Sequence, residues 1–186
     1  MLDETVSDED IVQLVKAGDV DAFGDLVVRY EPKMKRYARK FLSNQEDIED
    51  LVQEVFIKAY TNLQSFDTDL RFSPWLYRIA HNSFVNELKK KSRMGFGVFE
   101  ADLLLPQLAA SETADEQAID HETKEVMEQN LEKLAPKYRE ILVLHYFEEL
   151  RYQEISDVLQ IPVTTVGVRI MRARVKLKEA IEKMYE

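Results

Sequence analysis

The amino-acid sequence predicts an all-α protein: two small helical domains joined by an acidic linker, with a helix-turn-helix in the C-terminal domain. Apolar residues recur at spacings of three and four over most of the 186 residues, which is the period of an amphipathic helix. We find no stretch in which apolar and polar residues alternate as they do in a half-buried strand. Gly95 and Gly97, followed by an acidic stretch, divide the chain into two parts.

The composition argues against several classes of protein. The chain has no cysteine and three scattered histidines, His81, His121 and His145, so we expect no disulfide, no metal site and no cofactor. Since neither a glycine-rich phosphate loop nor a cysteine nucleophile occurs, we expect that the protein is not an enzyme. No apolar run approaches the roughly 20 residues of a membrane span, and the acidic N-terminus is unlike a signal peptide. These features predict a cytoplasmic protein.

Charge is unevenly distributed along the chain. The formal net charge is −10, yet residues 100–132 hold 10 acids and 1 base, whereas the stretches directly before and after them are mildly basic. A local basic patch matters more for nucleic-acid binding than the total charge does. We therefore predict domains at residues 1–94 and 123–186, with residues 95–122 as the acidic linker.

Two helices are predicted before residue 43. Ser7 is expected to cap the first helix, and Gly18 ends it. The second begins near Asp21. Pro32 is expected to interrupt it with a kink, because proline lacks the backbone N–H and clashes with the preceding turn.

Residues 46–66 show the longest unbroken helical pattern. The apolar stripe predicted to face the core comprises Ile48, Leu51, Val52, Val55, Phe56, Ala59, Tyr60 and Leu63. A second face holds Asp50, Gln53, Glu54 and Ile57, at positions i, i+3, i+4 and i+7. Such a face is either a solvated surface with one stray isoleucine or a docking surface for a basic partner.

A loop from Phe66 to Phe72 precedes the next predicted helix, which Ser73 caps and Pro74 opens. This helix is expected to run to about Arg93. Its core positions are Leu76, Ile79, Ala80 and Leu88. The helix also interleaves aromatic, amide and basic groups: Trp75, Tyr77, Arg78, His81, Asn82, Phe84, Asn86, Lys89, Lys90, Lys91 and Arg93. Rings that stack on bases and cations that hold phosphates suit single-stranded nucleic acid. The simpler alternative is a core tryptophan on a soluble basic helix.

The pattern of residues 151–178 predicts two helices with a short joint. Ile161 and Pro162 end the first helix, and Thr164 or Thr165 is expected to cap the second. The stripes predicted to be buried are Ile155, Val158 and Leu159 on the first helix, and Val166, Ile170, Ala173, Leu177 and Ile181 on the second. The outer face comprises Thr164, Thr165, Val168, Met171 and Arg172, flanked by Arg169, Arg174 and Lys176. This is the helix-turn-helix pattern that places its second helix in the major groove, although a basic amphipathic helix alone is often just solvated.

Taken together, three stretches resemble the extracytoplasmic-function (ECF) sigma factors, a class of bacterial RNA polymerase specificity subunits. They are DIEDLVQEVFIKAY at residues 47–60, FSPWLYRIAHNSFVNELKKKSR at residues 72–93, and PKYREILVLHYFEELRYQEISDVLQIPVTTVGVRIMRARVKL at residues 136–177. They occur in the family's order and spacing and cover most of the chain outside the linker. The resemblance implies promoter-specific transcription initiation, in which the polymerase performs the chemistry.

The resemblance implies a role for each surface of the N-terminal domain. The face made by Asp50, Gln53, Glu54 and Ile57 matches the one that docks on the clamp helices of the largest polymerase subunit. The loop at residues 66–72 matches the loop that captures a flipped base of the −10 element. The residues that match the −10 surface are Phe66, Arg71, Phe72, Trp75, Arg78, Asn82, Asn86, Lys89 and Lys90.

The C-terminal domain matches the part of the family that contacts the −35 element in duplex DNA and the flap of the second-largest polymerase subunit. Its matching residues are Thr164, Thr165, Val168, Arg169, Arg172 and Arg174. The family is commonly held inactive by an anti-sigma factor, which is often membrane-bound, so the resemblance implies such a partner besides core polymerase and promoter DNA.

The start of the second helix departs from the family pattern. Where the family usually has lysine and then serine, this chain has Gly167 and Val168. A glycine inside a helix costs roughly 1 kcal/mol relative to alanine. We expect a shifted −35 preference, with Val168 meeting a thymine methyl group.

Two other functions fit parts of the sequence. A stand-alone regulator would bind operator DNA through the helix-turn-helix and use residues 1–95 for sensing or dimerisation. An RNA-binding or anti-termination protein would use the surface of residues 75–93. Neither alternative explains the face around Asp50 and Glu54 as well as polymerase docking does.

Overall fold

The computed structural model describes residues 6–39, 41–42, 44–93, 127, 130–131 and 133–183. Over these residues the secondary structure is helical and contains no strand, so the predicted all-α class is confirmed. The chain divides into two compact units, Met1–Gly97 and Val98–Glu186. The predicted linker at residues 95–122 lies outside the described residues. No helix in the described ranges is both long enough and apolar enough to cross a membrane.

The N-terminal unit contains four described α-helices: α1 (Asp8–Lys16), α2 (Phe23–Ala38), α3 (Gln45–Asn62) and α4 (Phe72–Arg93). Single 3₁₀ turns at Val20–Ala22 and Leu63–Ser65 precede α2 and follow α3. Helix α3 packs against both α2 and α4, and α1 packs against α2. The buried stripe of α3 is confirmed except at Tyr60, which is exposed and contacts the ring of Phe23 edge-on.

Local signals set most helix ends in this unit. Ser7 caps α1 by accepting a hydrogen bond from the Asp10 N–H at 3.1 Å, as predicted. Asn44 caps α3 by accepting from the N–H groups of Glu46 and Asp47. Each cap satisfies N–H groups that no carbonyl within the helix can reach.

Pro32 does not end a helix, and the start of α4 differs from the prediction. Pro32 lies inside α2, in an exposed position, and the buried stripe resumes after it as predicted. The packing of Leu26, Tyr30, Met34 and Tyr37 spans the proline, because these buried residues lie on one side of α2. Helix α4 begins at Phe72, ahead of the predicted cap at Ser73, because the carboxylate of Glu9 accepts from the Phe72 N–H at 2.7 Å.

An aromatic cluster joins α2 to α4. The ring of Tyr37 lies 5.2 Å from that of Tyr77 and 5.7 Å from that of Phe84, measured between centroids. All three side chains are fully buried. The sequence-based expectation that Tyr77 and Phe84 belong to a nucleic-acid surface is therefore wrong. Half-buried His81 joins the same cluster, with Nδ1 3.3 Å from the Tyr37 hydroxyl oxygen.

The C-terminal unit contains α5 (Pro136–Leu142), α6 (Tyr152–Leu159) and α7 (Val163–Glu182) in its described part. Helix α5 continues into a π turn at Val143–Phe147. Helices α5 and α6 both pack on α7. The predicted inward stripes of α6 and α7 are confirmed, with Ile181 only half-buried at the end of α7.

The joint between α6 and α7 differs from the prediction in its details. Gln160 ends α6 in a left-handed conformation at φ 54°, which closes the helix before Ile161 and Pro162. The Ser156 hydroxyl donates to the Ile161 carbonyl at 2.6 Å and holds the turn. Pro162 occupies the N-cap position of α7, so neither Thr164 nor Thr165 is the cap.

Candidate nucleic-acid interface

The exposed side of α3 carries the four residues predicted to form a docking face. Asp50, Gln53 and Glu54 are exposed, and Ile57 is 64% exposed. They lie opposite the buried stripe of α3, because residues at i, i+3, i+4 and i+7 share one side of a helix. The result is an anionic surface that includes one aliphatic side chain, which suits a partner that is basic and partly apolar. We call this surface the α3 face.

Lys58 ties the α3 face to α4. Its ammonium nitrogen lies 2.6 Å from a carboxylate oxygen of Glu54 and 3.0 Å from the Ser83 hydroxyl oxygen. Ser83 is buried on α4. This link was not predicted. The i, i+4 spacing of Glu54 and Lys58 could have indicated their ion pair, but the bond to Ser83 depends on how the two helices pack.

Helix α4 displays a line of polar and aromatic side chains along one side. The positions 75, 78, 82, 86 and 89 are separated by three or four residues, so they share that side. The exposed members are Arg78, Asn82, Asn86, Lys89 and Lys90, and half-buried Trp75 completes the line, which we call the α4 face. Guanidinium and ammonium groups attract phosphates, amides pair with base edges, and an indole offers a stacking surface.

Three aromatic rings lie where the 66–72 loop meets α4. The Trp75 ring is 5.0 Å from the Phe66 ring and 5.6 Å from the Phe72 ring. Phe66 and Phe72 are buried, whereas Trp75 is half-buried. This placement corrects the expectation that Phe66 and Phe72 contact DNA directly, because neither ring is accessible here. The two phenylalanine rings lie at the two ends of the loop, where they pack against each other and against the Trp75 ring.

The middle of the loop is a compact turn. The Asp67 carboxylate accepts from the Asp69 N–H at 3.0 Å, and the Asp67 carbonyl accepts from the Leu70 N–H at 3.1 Å. Leu70 is 61% exposed, and Arg71 beside it is exposed. Exposure of Leu70 was not predicted, since an isolated apolar residue in a loop belongs to no periodic pattern.

The outer side of α7 has an apolar ridge. Val168 is half-buried, Met171 is 61% exposed and Val175 is 55% exposed, at spacings of three and four. Arg172 is half-buried, and Arg174 is exposed. Basic side chains on both sides of an apolar ridge fit a major groove, in which thymine methyl groups lie between two phosphate backbones. Val175 was not predicted, although extending the helical wheel by one turn would have found it.

Arg169 differs from the other predicted bases of α7. It is half-buried, and its Nε is buried without a hydrogen-bond partner. Burial lowers the pKa of Arg169, and the charge of Glu140 on α5 partly opposes that shift. Of the three predicted arginines, Arg174 is exposed, whereas Arg169 and Arg172 are half-buried.

Gly167 packs against α6. A methyl group at its Cα would meet Tyr152 Cε2 at 3.7 Å, an ordinary van der Waals distance. The glycine is therefore not required by close approach of the two helices. Thr164, one turn before it, is exposed, and Thr165 is half-buried.

The chain matches two protein-family models. Sigma-70 region 2 matches residues 26–94, and Sigma-70 region 4 matches residues 124–177. The first match contains the α3 and α4 faces, and the second contains α5, α6 and most of α7.

Relatives with similar sequences span nearly the whole chain. The ECF RNA polymerase sigma factor SigW of Bacillus subtilis is 37% identical over 179 residues, covering 93% of this chain and 96% of SigW. The ECF RNA polymerase sigma-E factor of Escherichia coli K12 is 32% identical over 189 residues, covering 98% of each chain.

A solved structure supports the same relationship. CnrH, in complex with the cytosolic domain of CnrY, is 28% identical with a TM-score of 0.65, and the match covers 95% of this chain and 97% of CnrH. Both family models, the sequence relatives and the fold agree: the chain belongs to the ECF family of RNA polymerase sigma factors.

Proposed function

We propose that this protein binds core RNA polymerase and directs it to promoters by melting and recognising a −10 element and recognising a −35 element in duplex DNA. In this proposal the α3 face docks on the clamp helices of the largest subunit. The α4 face and the 66–72 loop hold the single-stranded −10 element. Helix α7 enters the major groove at −35, and the C-terminal unit contacts the flap of the second-largest subunit. The protein is an initiation factor that acts in the cytoplasm, and the polymerase performs the chemistry.

The α4 face is the observation that supports this proposal most strongly. Its cations, amides and half-buried indole share one side of a helix whose opposite side is an aromatic core. A duplex conceals base faces and Watson–Crick edges, so stacking and amide groups of this kind favour unpaired bases. Beside it, the anionic α3 face is suited to a basic protein and poorly suited to DNA, which explains how one unit serves two partners.

Run-off transcription tests the proposal. Core RNA polymerase is mixed with the protein and a promoter library, and the Asp50→Arg/Glu54→Arg variant is run in parallel. We expect promoter-specific transcripts with the natural protein and none with the variant, because reversed charges repel a basic partner. The matched control is Asp21→Arg/Glu31→Arg, which makes the same charge change at solvent-accessible acids on α2 and on the turn before it. We expect the control to retain transcription.

Other results would favour the alternatives. Tight specific duplex binding by the protein alone, without transcripts, would indicate a stand-alone regulator. A preference for RNA that needs no −35 sequence would indicate an RNA-binding protein. Equal loss in the two charge variants would show that the α3 face is not a specific docking surface.

We also propose an anti-sigma partner. The supporting observation is that CnrH was solved with the cytosolic domain of CnrY. An anti-sigma partner would compete for the surfaces that engage polymerase and DNA. A purified candidate domain should abolish promoter-specific transcripts and displace core polymerase. A domain that binds without affecting either would contradict this role.

A further inference from the structure

Helix α1 contacts both ends of the 66–72 loop. The ammonium group of Lys16 donates to the Phe66 carbonyl at 2.8 Å. The carboxylate of Glu9 accepts from the Phe72 N–H at 2.7 Å. Glu9 and Lys16 are seven residues apart, so their side chains leave the same side of α1 two turns apart. One helix therefore spans the loop from its first residue to its last.

Each of these bonds serves a backbone group that the secondary structure leaves unpaired. The Phe72 N–H is the first of α4 and has no carbonyl within the helix to reach. A carboxylate is also the favoured group at a helix N-terminus. Phe66 leaves the 3₁₀ turn in an extended conformation, and its carbonyl accepts from a charged donor. Charge-assisted bonds are shorter and stronger than neutral ones, and both are partly shielded from water.

Helix α1 is itself held firmly in the N-terminal unit. Ile11 and Val12 are fully buried. Asp8 pairs with Arg29 and accepts from the Tyr30 hydroxyl, both on α2. The Tyr30 ring packs edge-on against Phe72, with centroids 5.5 Å apart. The bonds from Glu9 and Lys16 thus connect the loop to the core through a rigid element.

We propose that α1 is the positioning element of the loop that captures the flipped −10 base, with Glu9 and Lys16 as its positioning residues. This inference rests on the proposed function. It assigns a role to a helix that precedes the segment matched by Sigma-70 region 2, which begins at residue 26. Neither residue touches DNA in this role. They act through the backbone of Phe66 and Phe72.

The physical reason is preorganisation. A flipped base has lost its stacking energy, and contacts in its pocket must offset that loss. A loop whose ends are already fixed loses less conformational entropy when the base enters than a loop with free ends does. Loosening the ends should therefore weaken the pocket at one base and leave the contacts along α4 intact.

Base discrimination, measured position by position, tests this role. The full chain is assembled with core RNA polymerase and bound to fluorescent single-stranded DNA that carries the −10 element recovered by run-off transcription. Competitors change one base at a time, so each position yields a binding penalty. The test variant is Glu9→Ala/Lys16→Met. The matched control is Glu31→Ala/Lys35→Met, which removes an ion pair from α2 with the same charge change.

We expect the test variant to lower the penalty at one base position by roughly two- to tenfold, the size expected for lost hydrogen bonds. Penalties at the other positions, affinity for core polymerase and the control profile should stay within about twofold, the low end of the hydrogen-bond estimate. The conservative single variants Lys16→Arg and Glu9→Gln retain a donor and an acceptor and should restore the penalty. A purely structural role would not produce this position-specific pattern.

Several results would overturn the inference. One is an unchanged penalty profile. Another is a uniform loss at all positions with a lowered melting temperature. If the double variant does not fold, Lys16→Met alone is measured, and an unchanged profile there also contradicts the role. Failure of the natural holoenzyme to bind the −10 strand would instead refute the proposed function, and this inference would fall with it.

Discussion

The exposed sides of α4 and α7 differ in chemistry and in support. The α4 face combines an indole, amides and cations, and it rests on the buried rings of Phe66 and Phe72. The outer side of α7 is an apolar ridge of Val168, Met171 and Val175. By helical spacing, Arg172 and Lys176 fall on one flank of the ridge, and Arg174 and Lys178 fall on the other.

This difference matches what each surface is proposed to bind. Unpaired bases expose faces and edges that must be held individually, which requires a rigid stacking group and amides. A duplex presents its major groove as a strip of base edges and methyl groups between two rows of phosphates. A ridge with cations on both flanks is complementary to that strip. Substitutions in one surface should therefore weaken binding to its own kind of DNA and leave binding to the other kind unchanged. The largest effects should come from the buried rings that pack beneath the α4 face.

Removing the support should have the largest effect. Phe72→Ala deletes a fully buried ring that contacts Phe66, Trp75 and Tyr30. We expect a loss of about 3–5 kcal/mol in the free energy of unfolding, measured by urea denaturation. Phe72→Leu is the control and should cost less, since it refills most of the volume. A loss under about 1 kcal/mol, the low end for small core deletions, would show that the ring is not a support.

Changing the stacking group Trp75 should weaken binding to single-stranded DNA and leave binding to duplex DNA unchanged. Trp75→Leu should weaken holoenzyme binding to the −10 strand by about 1–3 kcal/mol, because an aliphatic side chain offers no π-face. Trp75→Phe retains a ring and should lose less. Fluorescence anisotropy with a −10 strand and a −35 duplex makes the comparison. Equal weakening on both DNAs would contradict the separation of the two surfaces.

Replacing Gly167 by alanine should stabilise α7. Gly167→Ala adds a methyl group that meets Tyr152 Cε2 at 3.7 Å. Alanine also loses less conformational entropy than glycine when the chain folds into a helix. We expect the C-terminal unit to gain about 0.8–1 kcal/mol in stability, measured by urea or thermal denaturation. A destabilisation would mean that Tyr152 and α6 require the glycine.

Thymine methyl groups should contribute a small effect through α7. Replacing thymine by uracil in the −35 duplex removes only the methyl group. If Val168 contacts one, binding should weaken by about 0.8 kcal/mol, the value of one buried methylene. The Val168→Ser variant should be insensitive to the replacement. If the natural protein is equally insensitive, Val168 does not contact a thymine methyl group.

Restoring the family's usual residues provides a second test of α7. Gly167→Lys/Val168→Ser should shift the preferred −35 sequence in a promoter selection. An unchanged preference would show that these two positions do not determine −35 specificity. Gly167→Ala is the matched control, because it changes helix stability without adding a base-contacting group.

Residues with a helical period could be assigned from the sequence. The Ser7 cap was predicted correctly, and so were the stripes through α3 and α7 apart from Tyr60 and the half-buried Ile181. Their pattern depends on local geometry, since side chains three and four apart share one side of a helix. The same reasoning failed at Tyr77 and Phe84, because aromatic residues are common both in cores and on nucleic-acid surfaces.

At Pro32 and Gln160 the local preferences of the residues did not predict the backbone structure. A proline usually breaks a helix, but packing on both sides of Pro32 preserves α2. Gln160 ends α6 in a left-handed conformation, which few residues other than glycine and asparagine favour. The sequence therefore did not predict this conformation. Tertiary packing overrode the local preference at Pro32, whereas local hydrogen bonds from the Ser156 and Gln160 side chains close the end of α6.

The sequence by itself determined the all-α class, the register of the buried stripes and the family, because each depends on residue order along a helix. Only the tertiary structure decided which aromatic rings are buried, that Lys58 bonds Ser83, and that Glu9 and Lys16 hold the two ends of the loop. Glu9 and Phe72 are 63 positions apart, and Lys16 and Phe66 are 50 apart. Contacts at such separations leave no periodic pattern in the chain, since they arise when packed helices bring distant polar groups within hydrogen-bonding distance.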